Sequence, residues 1–404
     1  MIAKILLNAG CKVYNLSEKS QGARKASKRS GHMLLDSRVA KLAYNLVNYS
    51  CRVQKGDNVL IECTEADYQL VACIIKEIYA KGGYPYVSMS DSRIKRELLM
   101  GMDRELASRM SDFDKPKFEK MQAYIGIRGG NNPYETSDVP QESMDAYNVC
   151  YAQPVHHDIR VKRTKWVILR YPTAGMSALS GVSTEAFEDF YFNVCNLDYN
   201  RMDKAMDPLV ELINRTDRVR IVSPGTDLTF SIKGIGAVKC SGHCNIPDGE
   251  VYTAPVRDSV NGRITYNVPS VNNGIKFENV SLLFKDGKIV EATANHTEAI
   301  NKIFDVDEGA RYVGEFSFGL NPYINKAMGD ILFDEKISGS IHFTPGACYD
   351  DAYNGNISAE HWDLVLVQTP EHGGGEIYMD DVLVRKDGRF VLPQLQCLNP
   401  ENLK

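Results

Sequence analysis

No apolar run in this 404-residue sequence approaches the roughly 18 residues that a membrane-spanning helix needs. Charge of one sign is not in excess either. The 47 Lys and Arg residues stand against 52 Asp and Glu, so a nucleic-acid partner has no basic footprint to bind. The first half lacks a Gly-x-Gly-x-x-Gly turn and a Walker-type phosphate loop, which leaves its α/β pattern without a nucleotide. No Gly-x-Ser-x-Gly elbow follows an expected strand, so a serine hydrolase is unsupported. The 10 cysteines are scattered along the chain, unlike those of a small disulfide scaffold. The apolar stretch near Ile2–Leu7 is too short for a secretory leader. A soluble cytoplasmic protein with reduced thiols is the natural expectation.

What the chain does contain falls into three parts. Residues 1–32 carry Lys4, Lys12, Lys19, Arg24, Lys25, Lys28 and Arg29 against the single acid Glu18. They read as a disordered basic extension, with a targeting or interaction arm as the alternative. Residues 33–200 read as an α/β domain. Leu35, Val39, Leu42, Leu46 and Val47 recur at helical spacing up to about Ser50. A helix is expected over Tyr68–Lys81, and strands at Val59–Cys63, Tyr86–Met89, Ala123–Ile127 and Trp166–Arg170. That alternation predicts a mainly parallel sheet. Helices at Glu185–Val194 and Met202–Ile213 lead into residues 201–404. There, short β-like runs at Val219–Val222, Asp227–Ile232, Arg263–Tyr266, Val280–Phe284, Lys288–Ala292, Ser340–Phe343 and Leu364–Val367 dominate. Turn signals such as Lys285-Asp286-Gly287 and Lys386-Asp387-Gly388 separate them, so a mainly β, barrel-like second domain is expected.

That second half offers ligands for a hard or borderline metal ion, which takes carboxylate oxygens and neutral imidazole. Glu250 follows the turn-rich Asn245-Ile246-Pro247-Asp248-Gly249, Glu315 lies in Val313-Gly314-Glu315-Phe316-Ser317-Phe318-Gly319, and His342 sits among apolar strand residues. His361 and Asp363 are two apart, on one face if the segment is a strand. Taken singly, each has a plainer reading: a solvated loop acid, a hydrogen-bonded core histidine, a surface pair. Cys240-x-x-His243-Cys244 has part of a zinc spacing but lacks a second pair. His156-His157 and Gly373-Gly374-Gly375 read as loops.

Several longer segments change the balance. Arg170-Tyr171-Pro172-Thr173, Ser223 to Phe230, Asn245 to Pro255 with Asn261-Gly262, Gly339-Ser340-Ile341-His342 and His361-Trp362-Asp363-Leu364-Val365 occur in one order. In them the sequence resembles the thermophilic-type metallo-aminopeptidases typified by aminopeptidases S and T, from about Leu34 onward. The resemblance implies an α/β N-terminal domain, a C-terminal metal-binding domain and two divalent ions (Zn, Co, Mn or Mg). It also implies short peptide substrates and a homodimer. Carried over by motif, Glu250 bridges or binds the ions, while Glu315, His342, His361 and Asp363 are further ligands. Tyr349 is the active-site tyrosine, and Glu315 doubles as a proton shuttle. Asp350, Asp351 and Glu360 are nearby acids for the substrate's amino group. Phe316 and Phe318 replace smaller aliphatics and are expected to reshape the pocket. The same ligands would also serve a metal-dependent amidase or phosphoesterase, or a relative that binds peptides without turnover.

Overall fold

The computed structural model describes residues 36–132 and 134–404, so the basic extension over 1–32 lies outside the described residues. Asp36 caps the first helix by accepting the backbone N–H of Arg38 at 2.8 Å, as an N-cap aspartate does for an otherwise unpaired donor. The helix runs over Ser37–Tyr44 and continues as a wider π-helical turn over Asn45–Ser50. Its apolar stripe, Val39, Leu42, Leu46 and Val47, is buried. Asp67 caps the helix Tyr68–Ala80 in the same way, through the N–H of Gln69.

These helices pack on a five-stranded parallel sheet in the order Tyr84–Ser90, Asn58–Thr64, Ala123–Arg128, Lys165–Arg170 and Asn245–Ile246. The first four strands are those expected from the sequence. The fifth comes from the second half of the chain, so the segment leading to Glu250 is tied into the parallel sheet. His156 and His157 do not mark a loop: they lie in a helical stretch, Asn148–Val161. His156 packs edge-on against Phe118 and Tyr151 there. Aromatic packing, not local propensity, holds this segment, which contains Pro154.

Besides a two-stranded ribbon, Ser270–Asn272 with Ile275–Phe277, the second half forms two large antiparallel sheets. One has eight strands and includes Arg218–Ser223, Thr226–Ser231, Asn261–Thr265 and Ser281–Lys285. The other has five, in the order Val365–Val367, Ser340–Pro345, Val313–Gly319, Glu250–Thr253 and Val238–Cys240. Val313–Gly319, the central strand of this second sheet, was not among the expected elements. Its two glycines obscure the pattern, although Glu315-Phe316-Ser317-Phe318 does alternate as a half-polar strand should. Phe230 of the larger sheet meets Phe316 and Phe343 of the smaller at ring separations of 5.0 and 5.1 Å. Phe284 meets Phe343 at 5.9 Å. Each such fully buried phenylalanine contributes about 1.5–3 kcal/mol, so this aromatic layer fixes which face of the smaller sheet turns inward. The Asp286-Gly287 and Asp387-Gly388 turns have the positive φ angles that join antiparallel strands tightly.

Candidate metal centre

Strand alternation assembles the site. Phe316 and Phe318 point to the aromatic layer, which leaves Glu315 and Ser317 on the opposite face of the same strand. Their neighbours follow by register: Ser317 is opposite His342 on one side and Tyr252 on the other, and Gly319 is opposite Glu250. Phe316 and Phe318 therefore support the sheet from behind and do not line the site, contrary to the expectation that they reshape it. A β-bulge at Gly314 shifts the register just before Glu315. A side chain at Gly314 would collide with the carbonyl of Ala347, so this close approach requires glycine.

His361 and Asp363 are not on a regular strand. They lie in an extended segment ahead of Val365–Val367, anchored by a bridge between His361 and Gly346. The extended backbone still turns both side chains to one side: Nε2 of His361 is 3.3 Å from Oδ1 of Asp363. Asp363 also accepts the hydroxyl of Thr344 at 2.8 Å.

The five expected ligands converge around Glu315. Its Oε1 is 3.0 Å from Nε2 of His342, and its Oε2 is 3.4 Å from Nε2 of His361. Glu250 Oε2 lies 3.4 Å from the same nitrogen of His342. The donors form two overlapping sets, Glu250–Glu315–His342 and Glu315–His361–Asp363. Both histidines have their other nitrogen occupied. Nδ1–H of His342 donates to the carbonyl of Glu335 at 3.2 Å, and Nδ1–H of His361 to that of Ala347 at 2.7 Å. A carbonyl only accepts, so each Nδ1 carries a proton and each Nε2 is free to be a ligand. Nε2 of His361 is buried without an aligned hydrogen bond. An imidazole orphaned among carboxylates fits a cation.

Electrostatics agree. Burial would lower the pKa of His342, but Glu315 and Glu250 outweigh it and raise the value to about 10. His361 is raised to about 11, the charges of Asp363 and Glu315 again overcoming burial. Conversely, burial would raise the carboxyls of Glu315 and Asp363, yet the histidines hold both below their ordinary values. The three buried carboxylates thus retain protons on both histidines in the absence of a metal ion.

Tyr349 packs its ring 4.8 Å from that of His361. Loss of water around its hydroxyl and the charges of Glu315 and Asp363 raise its pKa, though the residue is about half exposed overall, so its hydroxyl remains a proton donor. Asp350 and Asp351 are exposed, and Asp351 accepts the hydroxyl of Tyr252 at 3.1 Å. Glu360 accepts from Asn272 at 3.0 Å. The Cys240-x-x-His243-Cys244 spacing builds no joint cluster among the described residues: His243 stacks on Tyr49, while Cys240 groups with Asp248 and Glu250.

Two residues beside the site escaped the sequence reading. Lys336 is fully buried, pairs with Glu335 and lies 3.7 Å from Oε1 of Glu250. Burial and the charges of Glu250 and Asp363, against the pull of Lys336, raise Glu335 to about 8. An Asp-Glu-Lys run normally reads as a solvated turn. The apolar Ile331-Leu332-Phe333 just before it and Ile337 just after were the available signal.

Residues 35–390 match the thermophilic metalloprotease family, M29. Aminopeptidase PepS of Streptococcus thermophilus is 26% identical, covering 80% of this chain and 87% of that one. Aminopeptidase AmpS of Bacillus subtilis is also 26% identical, with coverage of 79% and 86%. Among solved structures, wild-type AmpT from Thermus thermophilus superposes with a TM-score of 0.73 at 22% identity, covering 88% of this chain and 99% of that one. A 2,5-dihydroxypyridine dioxygenase from Pseudomonas putida shares the fold at a TM-score of 0.58 and 14% identity. Fold alone thus does not choose the chemistry. The family match spans nearly the whole described chain, and a carboxylate–imidazole cluster occupies its buried face: the protein belongs to the M29 family of metalloproteases.

Proposed function

We propose that the protein is a dinuclear aminopeptidase, which removes the N-terminal residue of short peptides. The observation that carries this reading is the position of Glu315, shared between two three-residue donor sets. Glu250, Glu315 and His342 would hold one divalent ion, and Glu315, His361 and Asp363 the other. Mixed carboxylate–imidazole donors suit Zn, Co, Mn or Mg. Such ions, when bound, activate water near neutral pH and polarise the scissile carbonyl.

The chain's own groups supply the rest. The two backbone carbonyls at Glu335 and Ala347 fix the histidine tautomers, so the ligands need no rearrangement. Tyr349 donates a hydrogen bond to the oxyanion that develops on the substrate. With one oxygen facing each donor set, Glu315 acts in this arrangement as the shared ligand, and the proton-shuttle role that the resemblance implied for it is not part of the proposal. The aminopeptidase names of the similar proteins from Streptococcus thermophilus and Bacillus subtilis support this reading over a phosphoesterase.

The test is hydrolysis of aminoacyl-p-nitroanilides, short peptides and p-nitrophenyl phosphate after chelation, then after separate addition of Zn, Co, Mn and Mg. Release of free amino acids that depends on added metal and is abolished by Glu250→Gln is the expected result. Phosphate ester turnover without peptide turnover, or no turnover with any metal, overturns it.

A further inference from the structure

A cavity of about 280 Å³ opens beside Asp363 and Val365, at the edge of the metal centre. Its walls come from separate parts of the chain. Met176 and Leu179 lie on the helix Ala174–Leu179, Phe187 on the helix Thr184–Cys195, and Val268 just beyond the strand Asn261–Thr265. Met328 and Phe333 come from the segment that leads to Lys336. The space therefore lies where loops at the C-terminal ends of the parallel strands meet the metal-bearing half, a common place for a ligand in an open α/β sheet.

Several polar groups in these walls, the carboxylates among them, already have partners. Nε of Arg170 pairs with Asp330 at 2.9 Å. Asp334 accepts the backbone N–H groups of Met328 and Gly329 at 2.6 and 3.0 Å. Asn131 accepts the N–H of Gly175 at 2.7 Å, and Ser270 accepts the indole N–H of Trp362 at 2.9 Å. A charged side chain entering here would exchange its water for walls that are largely aliphatic and aromatic and for carboxylates already paired, which is costly. An apolar one would lose only water.

We infer that this cavity is the specificity pocket for the substrate's first residue, and that it selects a sizeable apolar side chain such as Leu, Met or Phe. The inference rests on the aminopeptidase reading. The shape supports the first residue over a later one: the walls converge beside a metal ligand and hold one side chain, not a length of peptide. Asp363 at the rim puts the occupant within one residue of the centre, and the aliphatic and aromatic walls set its chemistry.

The experiment compares kcat/KM for leucyl-, phenylalanyl-, alanyl-, lysyl- and glutamyl-p-nitroanilide with the metal-loaded enzyme. One added methylene in an apolar pocket discriminates by about 10-fold or more. Leucyl should therefore exceed alanyl by at least about that factor, with glutamyl the poorest. Leu179 and Ile331 line the cavity and are partly exposed, at 50% and 43%, so both accept a charge without loss of fold. In Leu179→Glu and Ile331→Glu the leucyl-to-alanyl ratio should fall about 10-fold while the lysyl-to-leucyl ratio rises. Equal turnover of alanyl and leucyl substrates, or ratios that neither variant moves, overturns the pocket assignment and leaves the aminopeptidase intact. Absence of metal-dependent turnover on every anilide overturns both.

Discussion

Nζ of Lys336 lies 3.7 Å from Oε1 of Glu250, and both side chains are buried. Despite its burial, the carboxylate of Glu250 and the adjoining Glu335 keep Lys336 protonated. Unlike the two histidines, it stays charged when the ligands lose their protons, and it repels the metal that the neighbouring carboxylates attract. Removing one partner of a buried pair costs about 3–5 kcal/mol. Metal-free Lys336→Met should therefore unfold at lower urea than the metal-free parent, while binding a divalent ion more tightly. Equal midpoints for the two metal-free proteins would show that Lys336 is not balancing Glu250.

Glu315 is the only carboxylate common to both donor sets. Glu315→Gln should reduce metal content at both positions, whereas Glu250→Gln and Asp363→Asn should each reduce it at one. Elemental analysis after dialysis against limiting metal distinguishes these cases. The expected order is about two ions per chain for the parent, about one for the peripheral variants and below one for Glu315→Gln. Identical metal content in all three variants would sink the shared-ligand arrangement.

Much of this site was legible in the sequence, for a local reason. Glu250, His342, His361 and Asp363 sit in short motifs whose resemblance to a family nominates them one by one, whereas Glu315 lies in a segment where Phe316 and Phe318 depart from the family pattern. The α/β half was legible too, because the helix Tyr68–Ala80 has clean periodicity and the strand before it is a nearly continuous apolar run between turn residues. The rest was set by long-range packing. Whether Phe316 faces the site depends on Phe230, some eighty residues earlier. Lys336 looks solvated until Glu250 and Glu335 close around it. Asn245–Ile246 is too short to read as a strand, and exists because it pairs with Ile168 and Leu169.

The pKa values of His342 and His361 predict a proton count. Both are raised, to about 10 and about 11, above the ordinary 6.5. In the metal-free protein their protons thus add stability that is fully present below pH 6.5 and is lost as pH rises through 10 to 11. Metal ligation needs neutral imidazole and must expel those protons. Binding at pH 8 should release about two protons per chain, read from titration calorimetry in buffers of different ionisation enthalpy. Apparent affinity should rise with pH across this range. A binding enthalpy independent of buffer would contradict the protonated state of the metal-free site.

Tyr349 separates ligand geometry from transition-state stabilisation. Its ring packs on His361 at 4.8 Å, and the proposed donor sets are made of carboxylates and imidazoles. Tyr349→Phe keeps the ring, and hence the support of His361, while removing one hydrogen-bond donor. Loss of a donor to a developing oxyanion lowers kcat by about 10²–10³. The expected result is a fall of that size in kcat with KM and metal content near those of the parent, because the interaction forms only as the carbonyl becomes tetrahedral. If kcat is retained, the oxyanion is stabilised without this hydroxyl. If metal content falls in parallel with kcat, Tyr349 acts by holding His361 in place.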